Sequence, residues 1–120
     1  MAFRFRRFKV YGDAIDGYKW IVEKTKHYPP TFFHLRDQIQ RAALSVALNI
    51  AEGSAKPTDA DFNRYIGNAL GSTNEVAAAL EVAYEVRLII EDDLKVGIQK
   101  YETICNQLGG LSKTLKVHKS

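Results

Sequence analysis

Apolar residues recur at every third or fourth position along most of the chain, the period of an amphipathic helix. Between residues 8 and 27, Phe8, Tyr11, Ala14, Ile15, Tyr18 and Val22 hold one helical face, and Pro29-Pro30 ends the segment. Leu35, Ile39, Ala42, Ala43, Val46 and Ile50 repeat the pattern as far as Gly53, a residue suited to the position just past a helix end. A third helix is predicted from Thr58, whose hydroxyl can cap it, while Asp59 and Asp61 place negative charge in the first turn, where the helix dipole favours it. Its face is Phe62, Ile66, Ala69, Thr73, Val76, Leu80 and Ala83 or Tyr84. From Thr58 onward the remaining 63 residues would span about 95 Å as one helix, longer than a domain of this size can bury. A turn is therefore expected near Leu88 to Asp93, ahead of Leu94, Ile98, Tyr101, Ile104 or Cys105, Leu108, Leu111 and Leu115. Gly109-Gly110 weakens that last helix by about 1 kcal/mol per residue relative to Ala.

Four amphipathic segments with short connections and no alternating strand pattern predict an all-α fold, an up-down-up-down four-helix bundle. Residues 1–120 form one domain, with basic tails at 1–7 and 116–120. Helices two and three carry more apolar surface than one core uses. At about 100° per residue, Leu44 and Leu48 lie opposite Ile39 and Val46, while Ala78, Val82, Val86 and Ile89 lie opposite Leu80. A middle helix of a tight bundle can be covered around most of its circumference, but two such helices in so short a chain favour homo-oligomerisation with closed symmetry.

The 46% apolar fraction supports a core, and the single Cys105, expected as a buried inert thiol, cannot form an internal disulfide. With no long apolar run and no leader-like start, a cytoplasmic protein without membrane contact is the expectation. The formal net charge of +3 is unevenly laid out. Arg4, Arg6, Arg7 and Lys9 crowd the first ten residues and Lys113, Lys116 and Lys119 the last ten, with no acid in either stretch. In an up-down bundle both ends meet at one pole, so these seven cations predict a polyanion-binding patch, RNA or DNA, with salt-sensitive affinity. Phe3, Phe5 and Phe8 interleave with the arginines, a mixture that stacks on unpaired bases while reaching phosphates. Solvated tails with Phe8 in the core are the plain alternative.

Catalytic patterns are missing. His27, His34 and His118 never follow a glutamate by three residues, so the paired ligands of a di-iron bundle cannot be built. Glu23 and His27 form at most a surface pair, and no zinc motif, phosphate loop or nucleophile elbow occurs. Some four-helix RNases use Arg followed five to seven positions later by His, and no arginine here stands in that relation to a histidine. The expectation is no enzyme, no metal and no cofactor.

The stretch Gln38-Ile39-Gln40-Arg41-Ala42-Ala43-Leu44-Ser45-Val46-Ala47-Leu48-Asn49-Ile50-Ala51-Glu52-Gly53 resembles the signature of the bacterial four-helix family named after 23S rRNA intervening sequences. The resemblance continues through Phe62, Ala69-Leu70-Gly71-Ser72, Glu75 and Leu80 to Leu108-Gly109-Gly110-Leu111, nearly the whole chain. It implies up-down bundles assembled as homopentameric barrels, some encoded within insertions in the 23S rRNA gene, with no defined biochemical role. A related branch, the accessory variability protein of diversity-generating retroelements, partners a reverse transcriptase and binds nucleic acid through a basic surface. Carried onto this chain, Gln38, Arg41, Ser45, Asn49, Glu52 and Gly53 are the motif positions of helix two, and Gly71, Ser72 and Glu75 those of helix three. Ser45, Asn49 and Glu52 share one flank and are expected to hydrogen-bond to Ser72, Asn74 or Glu75, while Gly71 would let two helices approach; direct ligand binding is the alternative. Many relatives have a proline and a small residue where this chain has Ala47 and Leu48, and Gly where it has His34. A straighter helix two and an altered subunit interface at Leu48 are expected from those departures.

Two functions remain in play. One is a non-enzymatic homo-oligomer that binds nucleic acid through both termini. The other is a protein-interaction scaffold that docks a partner such as a polymerase or reverse transcriptase.

Overall fold

Four long helices account for most of the chain in the computed structural model, which describes residues 3–117 and shows no strand among them. They are α1 (Lys9–Thr25), α2 (Phe33–Ser54), α3 (Asp59–Glu85) and α4 (Glu91–Val117). Short 3-10 turns at Arg4–Arg7 and Pro30–Phe32 precede α1 and α2. Each helix packs on the next in sequence, and α1 closes the bundle against α4. The molecule measures 49 × 23 × 19 Å.

Local sequence explains the helix ends. Thr58 accepts a hydrogen bond from the Asp61 amide at 3.1 Å, and Asp59 and Asp61 lie in the first turn of α3 as expected. The α3–α4 connection falls at residues 86–90, earlier than the predicted Leu88 to Asp93. Glu91, Asp92 and Asp93 consequently form the first turn of α4, where negative charge suits the dipole. The connection needs neither glycine nor proline because Arg87 takes the left-handed conformation, φ 67°. The Leu88 amide then donates to Ala83 O at 2.8 Å and the Arg87 amide to Tyr84 O at 3.0 Å, the pattern that satisfies the last carbonyls of a helix.

Large side chains from all four helices fill the core, among them Ile21, Ile39, Ile50, Phe62, Ile66, Leu80, Tyr101 and Leu108. The predicted faces of α2 and α3 hold, whereas that of α1 is rotated. Its buried residues are Val10, Ala14, Gly17, Ile21 and Thr25, while Ile15 is 37% exposed. Gly17 is the reason: an added Cβ there would lie 2.8 Å from the Tyr101 hydroxyl, so α1 meets α4 across a residue with no side chain. Gly53 is likewise corrected. It lies inside the last turn of α2, where a Cβ would come within 2.6 Å of Tyr65 and 3.2 Å of the Phe62 carbonyl oxygen. Cys105 is partly exposed rather than buried, and Ile104 takes the core position. Ile89, placed by helical projection on an outer stripe, is 8% exposed and belongs to the core, because α3 ends at Glu85 and the projection stops applying there.

The expected tails are partly folded. Arg4–Arg7 forms a turn packed on α1 and α2, with the Phe5 ring 4.7 Å from Tyr11 and the Phe8 ring 5.7 Å from Phe62. At the other end α4 carries Lys116 within its last turn. Lys119 and the rest of 118–120 lie outside the described residues.

Candidate nucleic-acid interface

The polar positions of α2 and α3 form a seam between these two helices. The Ser45 and Ser72 hydroxyls pair at 2.9 Å, and the Asn49 amide donates to both Ser45 Oγ and Ser45 O at 2.9 Å. Gln38 donates to the Glu75 carboxylate further along. Glu52 does not join them, pairing instead with Lys56 at 3.5 Å on its own helix side. Arg41 and Asn74 are exposed. Gly71 does not bring helices together within the chain: it is exposed, and a Cβ added to it meets nothing within 4 Å. Four motif positions, Gln38, Ser45, Ser72 and Glu75, thus join α2 to α3, the serine pair partly buried and the Gln38–Glu75 pair exposed.

Residues near both ends of the described chain, Arg4 on one side and Ser112 to Lys116 on the other, come to the first turns of α3. The Arg4 guanidinium sits 5.1 Å from the Phe62 ring centroid and 5.8 Å from that of Phe8. From the other terminus, Ser112 donates to Asn63 Oδ1 at 2.6 Å, and Lys116 lines a small depression with Asp59, Ala60, Asn63 and Leu115. Arg6, Arg7 and Lys113 are exposed. Lys9 is committed locally, 2.6 Å from Asp13. The Lys9 ammonium, then the Gln107 amide at 2.7 Å, hold the Asp13 carboxyl below its ordinary value.

Sequence reasoning confined the basic charge to the termini and so missed two cations. Lys56, in the α2–α3 connection, lies 5.1 Å from the Tyr65 ring centroid, and the Arg64 guanidinium 4.7 Å from the same ring. The usable signal was topological, since any bundle that returns both ends to one pole sends the α2–α3 connection there too. The same reasoning placed Asp59 and Asp61 in the first turn of α3 but did not set them against the basic patch, which they dilute. The geometry suits fixed cations meeting phosphates. Among the described residues no three His, Cys, Asp or Glu side chains come together to hold a metal ion, and no helix is long and apolar enough to cross a membrane.

Outer apolar residues run along α2 and α3. Leu44, Leu48, Val82 and Val86 are 39%, 56%, 50% and 41% exposed, and Ala78 is exposed beside them. Ile90 and Val96, absent from the predicted stripes, are also exposed. Ile90 ends the connection and Val96 lies early in α4, positions that the sequence placed inside or just after the turn.

Fold and site together define an all-helical, four-helix protein with a basic pole and a polar α2–α3 seam. Residues 6–110 match the 23S rRNA-intervening sequence protein family, and the chain belongs to that family. Its fold is similar to that of a Bacteroides thetaiotaomicron protein with unknown function from the S23 ribosomal protein family, known from a crystal structure. The two are 24% identical, with a TM-score of 0.81 over 87% of this chain and 95% of that one. No curated protein matches the chain.

Proposed function

We propose that this is a non-enzymatic, homo-oligomeric protein that binds RNA or DNA at its basic pole, with phosphate contacts dominating. What supports this reading is the position of Arg4 and Lys116 at the start of α3, with Arg6, Arg7 and Lys113 exposed close by in sequence and Lys56 and Arg64 against Tyr65. An up-down-up-down chain would bring both termini to that pole. In a homopentamer the pole would repeat around one rim as a cationic annulus, a form that raises local polyanion concentration. A cytoplasmic setting, and kinship with the retroelement accessory proteins, fit the same reading.

Binding of a labelled single-stranded RNA, followed by anisotropy, tests it. Affinity is expected to fall by orders of magnitude between ~50 and ~200 mM salt. Replacing Arg4, Arg6 and Arg7 together by Ala should abolish most binding while the helical circular dichroism signal stays unchanged. Unaltered binding in that triple variant removes the proposal. The exposed Leu48, Val82 and Ile90 favour a second reading, a scaffold for a protein partner such as a polymerase. That reading requires a partner that survives nuclease treatment, and a Val82→Glu chain that keeps its assembly mass by light scattering but loses the partner.

A further inference from the structure

Between the N-terminal 3-10 turn and the end of α2 lies a groove of about 670 Å³, within the size range of pockets that hold small organic groups. Leu48, Ala51 and Ala55 give it an apolar lining from the end of α2, interrupted by Glu52 and Ser54, and Phe3 and Phe5 line it from the turn. The two rings lie 5.9 Å apart, and Phe3 is 59% exposed, the most open aromatic side chain of this end. Arg4 and Lys56 line the same groove, and Arg6 and Arg7 stand exposed on the turn that forms its wall. One carboxylate, Glu52, is present and is already paired with Lys56.

Apolar lining, an open aromatic ring and cations at the edge together suit a planar base attached to a phosphate backbone. We infer that this groove takes an unpaired base, so that the basic pole selects single-stranded over double-stranded nucleic acid. The inference rests on the nucleic-acid reading above and adds its substrate class. Away from its two ends a duplex keeps the faces of its bases stacked on one another, leaving the Phe3 ring only groove edges, sugar and phosphate to meet. In a single strand a base face is free to lie against Phe3, with its phosphates within reach of Arg6 and Arg7. Stacking of this type tolerates every base, so little sequence preference is expected.

The test compares a labelled twelve-nucleotide RNA, the blunt duplex of equal length, and an abasic strand of the same charge. Phe3→Ala is paired with the double variant Arg6→Ala, Arg7→Ala. Phe3 lies outside the core, so its replacement leaves the bundle folded, checked by thermal melting. The parent protein should prefer the single strand about ten-fold over the duplex, and Phe3→Ala should weaken the single strand about ten-fold without changing duplex binding, abasic binding or the salt slope. The arginine variant should weaken all three ligands and flatten the slope. Loss on the arginine variant with no effect of Phe3→Ala overturns the base groove and spares the phosphate-binding pole. Failure of every ligand to bind overturns both. A change in assembly mass caused by Phe3→Ala, with nucleic-acid binding intact, also overturns the groove and assigns it to a second copy of the chain.

Discussion

Tyr101 is the largest of the fully buried side chains, and its hydroxyl meets no hydrogen-bonding partner among the described residues. Burial raises its pKa above the ordinary tyrosine value. A phenol whose folded pKa is raised contributes stability that is whole below the unfolded value, near pH 10, and is lost as pH climbs toward the folded one. Tyr101→Phe should therefore match or exceed the parent at pH 7, by up to about 1 kcal/mol, and lose less stability above about pH 10. Urea midpoints at the two pH values check this, and a loss of more than about 1 kcal/mol at pH 7 would mean that the hydroxyl is satisfied. Tyr28, also buried and raised, keeps part of the alkaline effect in both proteins. The same contact shows why α1 was hard to read from sequence. Its buried face is continued by Gly17, which carries no apolar signal, and its packing is supplied by a tyrosine more than eighty positions away. Gly53 and Gly71 teach the converse: each stands in the family motif, yet one is pressed against Phe62 and Tyr65 and the other faces open space.

The helices themselves were legible wherever capping chemistry is local. Thr58 with Asp59 and Asp61 marked the start of α3, and the apolar steps from Phe62 to Leu80 marked its face, because a period of 3.6 is written directly into side-chain types. The α3–α4 connection was misplaced because it bends through Arg87 in a conformation that sequence rules reserve for glycine or asparagine. That residue carries a Cβ into the left-handed region at a cost of about 1–2 kcal/mol. Arg87→Gly removes it, and since the side chain is exposed, little packing is lost. The substitution should raise unfolding stability by about 0.5–1 kcal/mol after glycine's greater freedom in the unfolded chain is counted. A chemical denaturation curve reads the difference directly. A destabilised variant would show that the guanidinium makes a compensating contact across the turn.

At the scale of the molecule, the charge pattern is dipolar. Cations gather around the start of α3, whereas Glu81, Glu85, Glu91 and Asp92 are exposed near the α3–α4 connection. The bundle is 49 Å long, and at 0.15 M salt charges are screened within about 8 Å. The acidic end therefore does little to repel a polyanion held at the basic one, and only the acids beside the patch matter. Glu52 is one, already paired with Lys56, and Asp59 and Asp61 are two more, which share a local role with Glu91 and Asp92, since both pairs lie in the first turn of a helix. Neutralising either pair costs about 0.3–1 kcal/mol of helix stabilisation per residue, so the two double variants are matched in stability and differ in where the charge was removed. On the proposed function, Asp59→Asn with Asp61→Asn should tighten RNA binding about two- to five-fold at ~50 mM salt, while Glu91→Gln with Asp92→Asn should leave it unchanged. The gain should fade by ~200 mM as screening grows. Equal effects from the two pairs would mean that net charge, not the pole, governs binding, and the assignment of the interface to the chain ends would fall with it.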